Sequence, residues 1–135
     1  MKIVLTKEEA EQHFHNALCN GSQIRDYGLH LDYADNDYKA AKKSLEKKEK
    51  SGEFKSHIGI CCEDIWMEIL RLGGKLILVD EENGMGDKTI TLKQVHSRVA
   101  KTPLCHLMDA INENDDGDTA DCIIQTVFYG EVIFG

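Results

Sequence analysis

Three stretches of this 135-residue chain gather residue types that can do chemistry. The first, Asn112-Glu113-Asn114-Asp115-Asp116-Gly117, holds the carboxylates, amides and glycine of a calcium loop. With Gly117 at the sixth place of an EF-hand, an amide would stand first, and Ile123 would occupy the place of the closing bidentate glutamate. The segment therefore predicts a polar turn between helices. The second, Gly84-Met85-Gly86-Asp87-Lys88-Thr89, has the glycines, lysine and hydroxyl of a phosphate loop. The Walker spacing needs a glycine where Glu81 stands and a helix directly afterwards, whereas Ile90 continues as strand. This segment predicts a hairpin turn. The third is the scatter of thiols and imidazoles. His13 and His15 point to different sides of a helix, Cys61 and Cys62 are adjacent, and neither C-x-x-C nor H-E-x-x-H occurs. A zinc site, and with it a metal-dependent enzyme, would require the fold to assemble His96, His106 and Cys105. Covalent catalysis lacks a G-x-S-x-G elbow, and Cys105 and His106 would diverge by about 100° on a helix. No cofactor motif is present, and the chain reads as non-enzymatic.

Charge is the stronger signal. Asp and Glu number 24 against 16 Lys and Arg, for a net charge of −8. Asp109, Glu113, Asp115, Asp116, Asp118 and Asp121 fall within residues 109–121 with no base among them, and Asp80, Glu81, Glu82 and Asp87 form a second cluster. Either these acids merely solvate the surface, or they form a patch for a protein partner with a basic surface. Residues 39–50 carry six lysines and two glutamates, a mixed helix face without the arginines or aromatics of a nucleic-acid surface. Lys88, Lys93, Arg98 and Lys101 admit a helix-turn-helix reading. Its recognition helix, however, would offer Cys105, His106 and Asp109 to the bases beside an acidic turn, which argues against direct DNA readout. A small nucleotide-like ligand is the alternative to a protein partner, with Tyr27, Tyr33, Trp66 and Arg98 as contacts.

The elements that must position these residues follow from periodicity. Thr6 and Glu9 form a capping box for a helix buried through Ala10, Phe14, Ala17 and Leu18 and stopped at Gly21. Residues 3–5 predict a short strand before it. Tyr27, Leu29, Leu31 and Tyr33 alternate with Gly28, His30 and Asp32 as a half-buried strand does. A second helix starts near Asp35 or Asn36 with Tyr38, Ala41 and Leu45 as its stripe. A third buries Cys62, Ile65, Trp66, Ile69 and Leu70, ending at Gly73-Gly74. Residues 76–79 predict a strand covered on both faces, and residues 88–91 its hairpin partner. Thr91 and Gln94 box a fourth helix on Leu92, Val95, His96 and Val99. Thr102 and Pro103 open a fifth, buried through Leu104, Leu107, Met108 and Ile111. Asp118 caps a sixth, whose inner face is Ala120, Ile123, Ile124, Val127 and Phe128. The sum is an α+β fold: one mostly helical domain spanning residues 1–135, with about six helices and a small sheet.

No apolar run approaches the ~18 residues of a membrane span. The opening Met1-Lys2-Ile3-Val4-Leu5 turns acidic too soon for a signal peptide. Five cysteines make a poor disulfide framework, and four of them sit among apolar residues of helix-like segments, so the protein is expected in a reduced cytoplasm. Ile133 and Phe134 must be covered by the core or by a second copy, so a homo-oligomer is expected.

The C-terminal third, Thr91-Leu-Lys-Gln-Val-His-Ser-Arg-Val99 and the run from Asn112-Glu-Asn-Asp-Asp-Gly117 to Val132-Ile-Phe-Gly135, resembles small uncharacterised acidic proteins of phages and mobile elements of gut bacteria. The resemblance implies a setting in which such proteins act by binding, as inhibitors of host defence proteins or as sequestering proteins for signalling nucleotides. It carries no site residue. The expectation is an interaction module acting through Asp80, Glu81, Glu82, Asp109, Glu113, Asp115, Asp116, Asp118 and Asp121.

Overall fold

The computed structural model describes residues 2–114 and 116–135. Helix α1 (Lys7–Asn20) starts at the expected box: Glu9 N donates to Thr6 Oγ1 at 3.1 Å and Thr6 N to Glu9 Oε1 at 2.9 Å. Ala10, Phe14, Ala17 and Leu18 are its buried face. At Gly21 a Cβ would lie 2.7 Å from the backbone oxygen of Ala17 and 2.3 Å from Ile124 Cδ1, so a larger residue would force the end of the helix to shift. The strand expected at residues 3–5 is absent. Ile3 and Leu5 pack on the core, but the stretch pairs with no strand.

A 3-10 turn, Gln23–Tyr27, leads through Gly28 at φ 75° into β1 (Leu29–Asp32). The strand is shorter than the alternation over 27–33 suggested, because Tyr27 closes the turn and Asp32 bends to accept Tyr33 N at 2.8 Å. Helix α2 (Asp35–Ser51) buries Ala41 and Leu45 and exposes most of its lysines. Helix α3 (Cys62–Arg71) buries Ile65, Met67, Glu68, Ile69 and Leu70. Cys62, expected on that stripe, is exposed. Indeed none of the five cysteines is buried, contrary to their apolar sequence surroundings.

Strands β2 (Leu76–Asp80) and β3 (Lys88–Ile90) complete an antiparallel sheet in the order β1-β2-β3, with Leu31 opposite Leu78 and Leu76 opposite Ile90. Leu76 and Leu78 are buried, while Ile77 and Val79 are half-buried, so β2 is central by pairing and fully covered on one face only. Helix α4 (Leu92–Arg98) runs into a 3-10 turn, Val99–Lys101. Thr102 closes that turn by donating to Val99 O at 2.8 Å, and Pro103 stays extended, so helix α5 (Leu104–Ile111) begins one residue later than its sequence suggests. Leu107 and Ala110 face the core, but Leu104 and Ile111, expected inside, are 46% and 39% exposed. Helix α6 (Gly117–Tyr129) is capped by Asp116, whose carboxylate accepts Thr119 N at 3.0 Å, and the predicted cap Asp118 lies in the first turn instead. Its inner face is the expected one. Among the described residues no helix is long and apolar enough to cross a membrane.

Charge also enters the interior. Glu68 is fully buried, and its Oε2 accepts Ser44 Oγ at 2.6 Å and Lys48 Nζ at 2.7 Å. Arg71 Nη1 stands 3.7 Å from Glu68 Oε1 and donates through Nε to Glu11 Oε1 at 2.9 Å; Glu11 Oε2 meets His96 Nε2 at 2.9 Å. The chain of contacts ties α2, α3, α1 and α4 together. Burial pushes the Glu68 carboxyl up, but the bonds from Lys48 and Ser44 and the Arg71 charge outweigh it and hold it below 4.5. A lowered folded value means stability that is present above the unfolded value and lost on acidification. Glu68→Gln should lower stability at neutral pH by about 2 kcal/mol and flatten the fall of the melting temperature below pH 4.5, read by thermal denaturation across pH.

Candidate functional site: an acidic rim around Tyr27

The loop after β2 is built by Asp80. Its carboxylate accepts the backbone N–H groups of Glu82 (3.2 Å), Asn83 (2.9 Å) and Met85 (2.7 Å) and the Asn83 amide at 3.0 Å. Partial burial acts to raise the Asp80 carboxyl, but these bonds together hold it below the ordinary range. The loop then docks on the 3-10 turn: Asn83 Nδ2 donates to Tyr27 O at 2.6 Å and Glu81 N to Gly28 O at 3.0 Å. Glu81 and Glu82 thereby stand exposed beside Tyr27 and Gly28, and His30 Nδ1 lies 3.3 Å from Glu81 Oε1.

Helix α6 supplies the other side. Asp118 is exposed, while Asp121 is only 4% exposed and gives Oδ2 to Gln125 Nε2 at 2.9 Å. The Tyr27 hydroxyl is pushed above its ordinary value, first by the charge of Asp121, then by burial and by Asp118 and Asp26. Two acidic segments distant in sequence thus flank one tyrosine.

The chain's tail completes the surface. Gln125 is fully buried; its Oε1 accepts Ile133 N at 2.8 Å and Phe134 N at 2.7 Å, and its Nε2 donates to Phe134 O at 3.1 Å. Phe134 is held stacked on Tyr27 at 5.4 Å and edge-on to Tyr129 at 6.0 Å. Phe134 is thus half-buried by its own chain, while Ile133, expected to be covered with it, is 37% exposed.

The expected patch is rearranged accordingly. Asp80 is engaged inside its loop, Asp116 caps α6, and burial takes Asp121 out of an accessible patch. Glu81, Glu82 and Asp118 remain, joined by Asp26, which charge clustering in the sequence did not mark. Asp109 and Glu113 are exposed near the end of α5, and Asp115 lies outside the described residues.

The alternative ligand set does not converge. Tyr27 stacks on Phe134, and Tyr33 stacks on Tyr38 at 4.9 Å. Arg98 Nη1 donates to Val127 O at 2.8 Å near the end of α6. Trp66 alone lines a cavity, of about 320 Å³, with Leu18, Ile24, Leu31, Arg25 and Glu63 among its walls. Nor does the zinc set assemble: His96 meets Glu11, His106 Nδ1 lies 3.4 Å from Thr119 Oγ1, and Cys105 is exposed. Among the described residues no three His, Cys, Asp or Glu are gathered as for a metal ion. Compared with protein-family models, with curated proteins and with solved structures, the chain has no match in any of the three.

Sequence reasoning missed Gln125 and Asn83. The signal for Gln125 was a carboxamide inside the apolar stripe of α6, since a buried amide must find partners. Gln125→Leu keeps the volume and removes the clamp. It should cost about 1–3 kcal/mol and speed exchange of the Ile133 and Phe134 amide protons, measured by hydrogen–deuterium exchange.

Proposed function

We propose that this chain is a non-enzymatic interaction module that engages a basic surface of a protein partner through the rim of Asp26, Glu81, Glu82 and Asp118 around Tyr27. The observation that carries the reading is that packing sets acids from the turn, the loop and α6 around one aromatic surface. Asp26, Glu82 and Asp118 make no ion pair among the described residues. Unpaired surface acids attract a cationic partner from a distance and select its orientation. Tyr27 and Phe134 add rigid aromatic area at the centre, the kind of contact that carries affinity where charge alone gives steering. The setting implied by the resemblance makes an inhibitor of a host protein, at work in the cytoplasm, the form such a module takes.

The cavity beside Trp66 supports a second reading, the binding of a small nucleotide-like ligand. Its apolar wall and its rim of Arg25, His30 and Glu63 suit a flat molecule with a polar edge. Trp66 is the one tryptophan of the chain, so its fluorescence reports occupancy. Titration with nucleoside mono- and diphosphates should quench or shift it in a saturable way under this reading. A flat trace removes the reading.

The rim is tested with a fluorescein-labelled lysine-rich peptide as the basic probe. Asp26→Lys, Glu82→Lys and Asp118→Lys together should weaken binding by at least about tenfold while the circular dichroism spectrum stays native. A control with the same change in net charge, Asp35→Lys, Glu46→Lys and Glu53→Lys on and after α2, should leave most of the affinity. Equal losses from both triples would mean that net charge alone acts, and the rim reading would be wrong.

A further inference from the structure

Helix α5 carries more apolar surface than the described residues cover. Leu107 and Ala110 face the core, and Leu104, Met108 and Ile111 recur at the spacing of a second stripe on another face. Leu104 and Ile111 are 46% and 39% exposed, and Met108 is half-buried. Next to Leu104 lies a cavity of about 380 Å³, walled by Ile3, Ala100, Thr102 and Leu107 and edged by Lys2 and Lys101. Val4, which follows that wall, is 83% exposed.

Charge at the two ends of α5 is placed against its own helix. Lys2 and Lys101 stand at the N-terminal end, where the helix dipole is positive, and Glu113 stands just beyond the C-terminal end, where it is negative. Neither Lys101 nor Glu113 makes an ion pair among the described residues. Both mismatches are relieved if a second α5 lies alongside in the opposite direction.

We infer that this face is a self-complementary interface at which two copies of the chain pair α5 against α5, antiparallel about a two-fold axis near Met108. In that pairing Leu104 of each copy meets Ile111 of the other, and Ile111 fills the cavity beside Leu104. Lys101 of each copy faces Glu113 of the other, so the two-fold repeats the ion pair. The helices run antiparallel and their dipoles offset. A helix of eight residues is about 12 Å long, so the contact is small and the dimer belongs to the weak, reversible class. The interface uses none of the rim acids, and its test is independent of the rim.

Sedimentation velocity of the full chain from about 1 to about 200 µM should show a reversible monomer–dimer equilibrium. Leu104→Glu and Ile111→Glu, at exposed positions, should each abolish the dimer while the circular dichroism spectrum stays native. Lys101→Glu alone and Glu113→Lys alone should each weaken it roughly tenfold, and the double swap should restore it. A chain that is monomeric throughout the range overturns the inference, as does a dimer that survives Leu104→Glu. A double swap weaker than either single variant overturns the antiparallel pairing.

Discussion

A helix buried on nearly every side must find partners within the protein for its polar side chains, and α6 does so for Thr126 and Gln125, though Asp121 Oδ1 meets none among the described residues. Thr119, Asp121, Gln125 and Thr126 are all buried along it. Thr126 is satisfied locally, donating to Cys122 O at 2.7 Å. Gln125 points elsewhere, and the groups that answer it are the backbone atoms of Ile133 and Phe134. From that one amide the outer surface is built in sequence. The clamp places Phe134, Phe134 supports Tyr27, and the backbone of Tyr27 and Gly28 anchors the loop that carries Glu81 and Glu82. The rim is a consequence of core packing rather than a cluster laid down along the chain.

The carboxylates of Glu68 and Glu11 and those of the rim are handled in opposite ways, and buried Asp121, held by the Gln125 amide and pushed upward by burial, belongs to neither group. Glu68 and Glu11 are answered by Lys48, Arg71, Ser44 and His96, as low-dielectric surroundings require. Asp26, Glu82 and Asp118 are left without counter-ions among the described residues, and the long run of lysines is carried by α2, which packs chiefly on α3. Local neutralisation inside and separation outside give the molecule an uneven field, which is what oriented encounter with a cationic partner needs.

Much of the fold was legible in the sequence because it rests on local rules. The Thr6–Glu9 and Thr91–Gln94 boxes, the α2 and α6 stripes and the hairpin of β2 and β3 are each encoded within a few residues. What escaped depends on neighbours distant in the chain. Residues 3–5 have strand-like composition but no strand to pair with. Asp116 outcompetes Asp118 as cap because the helix starts at Gly117, a choice that acids two apart leave open. Leu104 and Ile111 carry the periodicity of buried positions, yet nothing among the described residues covers them fully. The acidic site was half legible: Glu81, Glu82 and Asp118 stood out by composition, but the inward turn of Asp121, the loop-forming work of Asp80 and the arrival of Asp26 are tertiary facts.

The central claim, that one surface formed by the turn, the loop and α6 receives a basic partner, is tested most directly by mapping contact residue by residue. Two-dimensional 15N–1H spectra of the labelled chain would be followed during titration with an unlabelled lysine-rich peptide. Shifts concentrated at Asp26, Tyr27, Gly28, Glu81, Glu82 and Asp118 are the result predicted. Shifts spread evenly over all exposed acids, or centred on α2, would contradict it.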